Sequence, residues 1–583
     1  MLLEGFAPLL AAPALKVHGV EIALGLDCRL AGREAADGLE ILTLDVSRGP
    51  VRVSLEVPLG DAEGYWFPNA GALRTLPPDW RGNDKTSIIS SSPLGCLYDR
   101  HGRILFAFAF DQQIEESQLR FGVSEEHKTF VVYFEHQGRA PRPLRLALAR
   151  PGGDYAATIG HLRDWLRDGI GQPLPVPFAG TVPVYCTWYT FSQNVDARSV
   201  EREAALAQQL GCRAVIIDDG WQKFGSGRWY AGCGDWVPDT AKFPDMAAHV
   251  ERLHALGLSV MLWVAPLLLG AKSEASARLE PVAPHYSEGL KARVLDPRCA
   301  ETRAHFVETC VRLVQDFGLD GLKIDFLDSA VVYQGTPTTG NIPDVGEALR
   351  KTLADLQQGL KAAGLEEVLI EFRQSYIGPA TAPYGNLLRA GDCPADAILN
   401  RRSVIDTRLI AAGQVVHADP VMWDPDTGPV PAARQLLNAY FGVPQVSMAL
   451  SRLPAEQLDA VRTVLASWMR TRDVVLRGTI AAGLPSENYP VVQARLDGRL
   501  VVGVYQPQVV DIDLTGLEEV TILNATASDE IVVRWSGAAG QARGEARDAR
   551  GAAGTAFDFA ARPGLTTLAI PPSGIATLDL GDF

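Results

Sequence analysis

The sequence is poor in several features, and each shortage closes a class of function. Its eight cysteines are Cys28, Cys96, Cys186, Cys212, Cys233, Cys299, Cys310 and Cys393, with no CxxC pair and no metal-site spacing. That excludes a zinc ribbon or a disulfide scaffold and predicts reduced thiols. Cys233 and Cys393 fall in predicted loops, where a local role is open to them. Basic residues are outnumbered, 54 Lys and Arg against 69 Asp and Glu, for a net charge of −15. This balance argues against nucleic acid or an anionic membrane as partner. No apolar run reaches the roughly 20 residues of a membrane span. The first twenty residues lack a basic segment and meet Glu4 early, a poor signal peptide. A cytoplasmic protein with a small, neutral ligand is the resulting expectation.

What is present organises into three parts. At 583 residues and 47% hydrophobic, the chain is too long for a single core. Residues 1–175 carry short strand patterns such as 39–44, 51–57 and 130–134, separated by Gly, Pro and Asp turns. These predict an N-terminal β-sandwich closed by a helix over 155–168. Within it, the turn-rich segment 64–92 holds Tyr65, Trp66, Phe67 and Trp80. Such a cluster either caps a sugar pocket, with Trp66 as a contact, or packs two domains together.

Pro173, Pro175 and Pro177 mark a linker, after which strands and helices alternate. Strand patterns at 182–189, 214–218, 259–266, 321–326, 367–372, 387–390, 415–421 and 445–449 predict a (β/α)8 TIM barrel over 176–485. A doubly wound sheet is the alternative, but no glycine-rich nucleotide loop follows the first strand. Residues 486–583 return to short β patterns, a small C-terminal antiparallel β domain, with the Gly- and Ala-rich stretch 538–554 expected as a loose loop.

The centre of the sequence is Leu322-Lys323-Ile324-Asp325-Phe326. A strand buried on both faces should be a continuous apolar run. Lys323 and Asp325 interrupt it two residues apart, so they share a face. Lys323 is expected to supply the counter-charge that keeps Asp325 ionised, the state a covalent nucleophile needs. A structural ion pair is the plain alternative.

Barrel chemistry sits at the C-terminal strand ends. Those ends carry Trp188, Asp218, Asp219, Trp221, Trp263, Glu371, Arg373, Arg389, Asp392, His417 and Asp419. Carboxylates accept hydrogen bonds from hydroxyls and aromatic faces stack on sugar rings, so the pattern describes a carbohydrate site. Glycoside hydrolysis needs two carboxyl groups. Asp325 suits the nucleophile and Asp392 the general acid, with Asp396 as a rival that instead suits a helix cap. Asp218-Asp219-Gly220 serves either as hydroxyl acceptors or as a turn.

Several motifs then stand in order: Tyr185-Cys186-Thr187-Trp188, Asp218-Asp219-Gly220-Trp221, Gly234-Asp235-Trp236, Lys242-Phe243-Pro244, a Gly257 to Trp263 strand entry, Lys323-Ile324-Asp325, and Arg389 to Asp392. Together they resemble the family 36 α-galactosidases of glycoside hydrolase clan D. The resemblance covers residues 182–453. It implies a retaining hydrolase with Asp325 as nucleophile and Asp392 as acid/base. Trp188, Asp218, Asp219, Lys323 and Arg389 would hold the sugar in subsite −1, with Asp218 and Asp219 on O4 and O6 of galactose. No metal or organic cofactor is implied. The chain departs from the pattern at Ala265-Pro266-Leu267, at Leu327, and at Phe372-Arg373-Gln374-Ser375-Tyr376, where a glycine-rich segment usually follows strand 5. Alternatives are a galactosyl transferase of raffinose-synthase type, a retaining hydrolase of another α-glycoside, and a silent carbohydrate-binding protein. Oligomeric state is not legible.

Overall fold

Alternation of large and small residues builds the N-terminal part. In the strand Ile104–Phe110, Phe106, Phe108 and Phe110 join the sandwich core while Ala107 and Ala109 point the other way. Leu144–Ala149 repeats the pattern, with Leu146 and Leu148 inward and Ala147 and Ala149 outward. A sheet with two buried faces results. Its bulky face meets a second sheet, as in the stacked pair Phe110 and Phe134, 3.9 Å between ring centroids. Its small-residue face lies against the rest of the molecule. Among the described residues the two sheets have six strands each. The computed structural model describes residues 10–46, 50–70, 75–78, 81–138, 143–537 and 540–581; Trp80 lies outside them.

The segment 64–92, expected as one long aromatic loop, begins within the strand Ala62–Trp66 and contains the strand Gly82–Thr86. Tyr65 and Phe67 belong to the sandwich core, and Trp66 faces the barrel. The helix Tyr155–Asp168 follows, capped by Asp154 accepting from Ala157 N at 2.9 Å.

Eight parallel strands form the central sheet: β1 Val184–Cys186, β2 Ala214–Ile217, β3 Ser259–Val264, β4 Gly321–Ile324, β5 Leu369–Arg373, β6 Leu387–Arg389, β7 Val415–His417 and β8 Gln445–Val446. β8 pairs with β1, and a bridge between His417 and Val443 joins the β7 side, closing a (β/α)8 barrel. Every strand except β5 is followed by an α-helix; β5 and β6 are joined only through the short turn Pro379–Thr381. The helix Tyr155–Asp168 packs on that turn and on the helix Ala397–Ile410, standing where the fifth barrel helix would be.

Beyond the helix Ala455–Arg477, a seven-stranded and a three-stranded sheet enclose a separate core around Val502, Ile522 and Trp535. Its first strand, Thr479–Ala482, precedes residue 486. Of the stretch 538–554 expected as a loose loop, residues 538 and 539 lie outside the described residues, and from 540 on it belongs to a hairpin, Gly540–Arg547 paired with Ala553–Ala561. Its small residues serve the sheet: Ala542 and Ala546 are buried, and a Cβ on Gly544 would lie 1.9 Å from Thr577 O. Composition that resembles a flexible linker here permits close strand packing. Among the described residues no helix is long and apolar enough to cross a membrane.

Candidate active site

At the end of β4 the chain turns sharply. Phe326 adopts φ 59°, which brings its N–H onto Asp325 Oδ1 at 2.7 Å. Asp325 Oδ1 also accepts from Arg373 Nε at 2.6 Å, and Oδ2 accepts from Trp263 Nε1 at 3.0 Å. Burial alone would raise the pKa of this carboxyl. The Arg373 and Lys323 charges and the Trp263 N–H outweigh that and hold it well below the usual carboxylate range.

The direct partner of Asp325 is therefore Arg373, not Lys323. Lys323 Nζ instead donates to Asp218 Oδ2 at 2.6 Å, across the barrel from β4 to the end of β2. Sharing a strand face fixes the direction of a side chain, but the nearer acceptor takes the ammonium.

Asp218 and Asp219 both line the same cavity. Asp218 N donates to Thr187 Oγ1 at 2.8 Å, and Asp219 N to Asp218 Oδ1 at 2.8 Å. Asp219 accepts from Gln222 and Gln193, each at 2.7 Å. Burial pushes its pKa up to about 6 despite these donors, with Asp218 and Asp325 adding to the rise. Gly220 has φ 115°, and a Cβ there would come within 2.5 Å of Gln193 Cα. The turn is thus glycine-dependent, and it is what aims both carboxylates into one pocket.

From β6, Arg389 donates to Asp392 Oδ1 at 2.9 Å and also pairs with Asp419. The Arg389 guanidinium lowers the pKa of Asp392, with burial opposing it. Asp392 is far more open than Asp325: its side chain is 63% exposed, against 11%. Behind Arg389 lie Glu371 and His417, 3.0 Å apart and buried. Asp396 caps the helix Ala397–Ile410, accepting from Leu399 N at 2.9 Å.

The cavity is about 310 Å³ and is walled by Trp188, Asp218, Asp219, Trp263, Lys323, Asp325, Arg389 and Asp392 together with Tyr230, Phe326, Arg373 and Gln374. The last four were not among the expected contacts. Arg373 was visible as a polar strand end, whereas Tyr230 sits in the long β2 loop without a local signal. Two expected contacts stand outside it. Trp221 is fully buried, donates to Trp263 O at 2.9 Å, and packs on Trp236 behind the cavity wall. Trp66 is fully buried and donates to Asp406 Oδ1 at 2.9 Å, tying the sandwich to the helix Ala397–Ile410. In both, the aromatic body is more stable in core than in contact with water, and the indole N–H finds an acceptor there.

An adjoining space of about 370 Å³ shares Arg373 and Gln374 and adds Asn69, Asp328, Ser375, Ser403 and Asp406. A larger cavity, about 940 Å³, opens at the opposite end of the barrel among Arg163, Arg167, Arg408, Arg472 and Arg477. Two of these arginines bond helix-end carbonyls, Arg163 that of Leu409 at 3.5 Å and Arg408 that of Val475. The two carboxylates there, Asp164 and Asp473, are each paired with a neighbouring arginine, whereas the smaller cavity gathers the aspartates at the strand ends. Among the described residues no group of three or more His, Cys, Asp or Glu could hold a metal.

No protein-family model matches the chain. Part of it is similar to Alpha-galactosidase 2 of Pediococcus pentosaceus, 31% identical over 157 residues, 26% of this chain and 22% of that protein. Another local match is Alpha-galactosidase AgaA of Geobacillus stearothermophilus, 26% identical over 146 residues, 24% of this chain and 19% of that protein. The aligned stretches therefore span well under half the length of these curated relatives. Solved structures match over far more of the chain. A variant of the GH36 α-galactosidase AgaA in complex with stachyose superposes with TM-score 0.64 at 13% identity, over 96% of this chain and 81% of that one. TtGalA, an α-galactosidase from Thermus thermophilus in complex with p-nitrophenyl α-D-galactopyranoside, gives 0.58 at 19% identity, over 83% and 98%. These likenesses establish the fold.

Proposed function

We infer that the chain is a member of the family 36 α-galactosidases, whose fold it has, and that it is a retaining hydrolase of terminal α-linked galactose on small galactosides. The observation that carries this reading is one cavity holding two carboxyl groups, each beside an arginine but differently exposed: Asp325 buried and fixed by Arg373 and Trp263, and Asp392 open beside Arg389.

In the first step Asp325 attacks the anomeric carbon while Asp392, whose low resting pKa a bound substrate raises by excluding water, gives its proton to the leaving oxygen. The Asp325 charge is among the influences that raise the pKa of Asp392. Forming the galactosyl ester removes that charge, so Asp392 becomes more acidic once it has given up its proton. It is then set to act as base toward the water that releases galactose. Asp218 and Asp219 accept from sugar hydroxyls, O4 and O6 in this reading, and the Lys323 contact keeps Asp218 oriented. Trp188, Trp263 and Tyr230 supply the apolar walls.

The test is release of nitrophenol from 4-nitrophenyl α-D-galactopyranoside. The wild type is expected to turn over and Asp325→Ala to lose several orders of magnitude, with azide rescuing it to the β-galactosyl azide. A wild type that ignores this substrate but hydrolyses another α-glycoside would sink the galactose assignment and keep the chemistry.

A further inference from the structure

Asp392 stands on a loop with little support of its own. After Arg389 the chain from Ala390 to Cys393 belongs to no strand or helix, and the Asp392 side chain is 63% exposed. Apart from the Arg389 bond at 2.9 Å, the position of its carboxyl is set by the backbone on either side. The residue after it is held by Asp419, which accepts from Cys393 N at 2.8 Å. The residue before it is held by Gln374, whose Oε1 accepts from Gly391 N at 2.8 Å. A Cβ on Gly391 would lie 3.3 Å from that same oxygen, so the amide is packed against the loop as well as bonded to it.

Gln374 is itself anchored from outside the barrel. Its backbone N donates to Arg389 O at 3.0 Å, and its Nε2 donates to Asn69 Oδ1 at 3.3 Å. Asn69 belongs to the N-terminal sandwich. Its Nδ2 donates at 3.0 Å to Ser90 O, on the sandwich, and at 3.0 Å to Ser375 O, on the loop after β5. An unbroken run of amides thus leads from the sandwich, through Asn69 and Gln374, to the peptide before Asp392.

We propose that Asn69 and Gln374 are positioning residues for proton transfer: they fix the Asp392 loop so that its carboxyl meets the glycosidic oxygen, which makes the N-terminal sandwich part of the catalytic apparatus. This rests on the reading of Asp392 as the acid/base. A general acid must come within hydrogen-bond reach of the oxygen it protonates. A loop displaced by about 1 Å loses on the order of 100-fold in rate.

The experiment measures kcat/KM on aryl α-galactosides of different leaving-group acidity, since this ratio reports the first step. On a 4-methoxyphenyl galactoside, which needs the proton, Gln374→Ala is expected to lose about 100-fold. On a 2,4-dinitrophenyl galactoside, which leaves without one, the loss should be several-fold. Asn69→Ala, a change outside the barrel, should show the same skew at about tenfold. It should add little in the Gln374→Ala background, because the two act in series. An equal loss on both substrates, or no loss, in folded variants overturns the relay while leaving the hydrolase reading intact. A wild type silent on every aryl galactoside overturns both. If Gln374→Ala does not fold, the skew in Asn69→Ala decides the question.

Discussion

The ends of β4 and β6 each present one aspartate to the same cavity, and they are built to opposite plans. Asp325 has both oxygens occupied, by Arg373, the Phe326 N–H and Trp263. Asp392 is turned to solvent beside one guanidinium. A nucleophile must be charged and aimed before substrate arrives, so three fixed donors serve it. An acid/base must change its proton twice in each cycle, and access to water allows that. In the proposed mechanism the structural difference between the two carboxyls matches a division of labour between nucleophile and acid/base.

The comparison breaks most sharply at Arg373. Arg373→Met removes the cation nearest Asp325 and raises its pKa. The acid limb of the kcat/KM profile should move to higher pH, with about tenfold or more of activity lost at the acid end. Arg373→Lys should recover part of it. An unmoved acid limb would show that Lys323 and Trp263 suffice. A smaller effect is expected at Asp219, a third carboxyl, which is buried and has its pKa raised where those of the other two are lowered. Burial puts its pKa at about 6, so it is the protonated form that gains below that value. Protonation removes an acceptor for a sugar hydroxyl, and KM should rise as pH falls through this range. Asp219→Asn should raise KM about tenfold and flatten that dependence. The smallest kinetic effect is expected at Trp66, outside the cavity. Trp66→Phe removes the bond to Asp406 and should cost about 1 kcal/mol of stability in denaturant titration, with KM unchanged. A changed KM would return Trp66 to the site.

The barrel was legible because its strands are Val-, Ile- and Leu-rich runs ending in polar residues, and because Lys323 and Asp325 break one such run at a two-residue spacing. The helix Tyr155–Asp168 was legible from its own period. Pairings across the fold were not. Whether Lys323 meets Asp325 or Asp218 depends on distances across a closed barrel, and nothing local in Arg373 announces that it reaches β4. Trp66 shows the same limit: a tryptophan in a turn-rich stretch suits a sugar platform and a domain contact equally, and its burial decides between them. The C-terminal hairpin was hidden by composition, since glycine and alanine are common both in linkers and where strands crowd.

The helix Tyr155–Asp168 and the strand β5 that lacks a helix of its own belong together, although more than two hundred residues separate the helix from Ile370. A ribosome delivers the helix first, together with the sandwich on which it packs. The barrel strands emerge afterwards, and the connection from β5 to β6 arrives to find its outer wall standing. Synthesis from the N-terminus thus supplies a mould before the part it shapes. Cutting the chain at the proline-rich linker would take away one side of the barrel, and the remainder would have to fold with an apolar flank open to water.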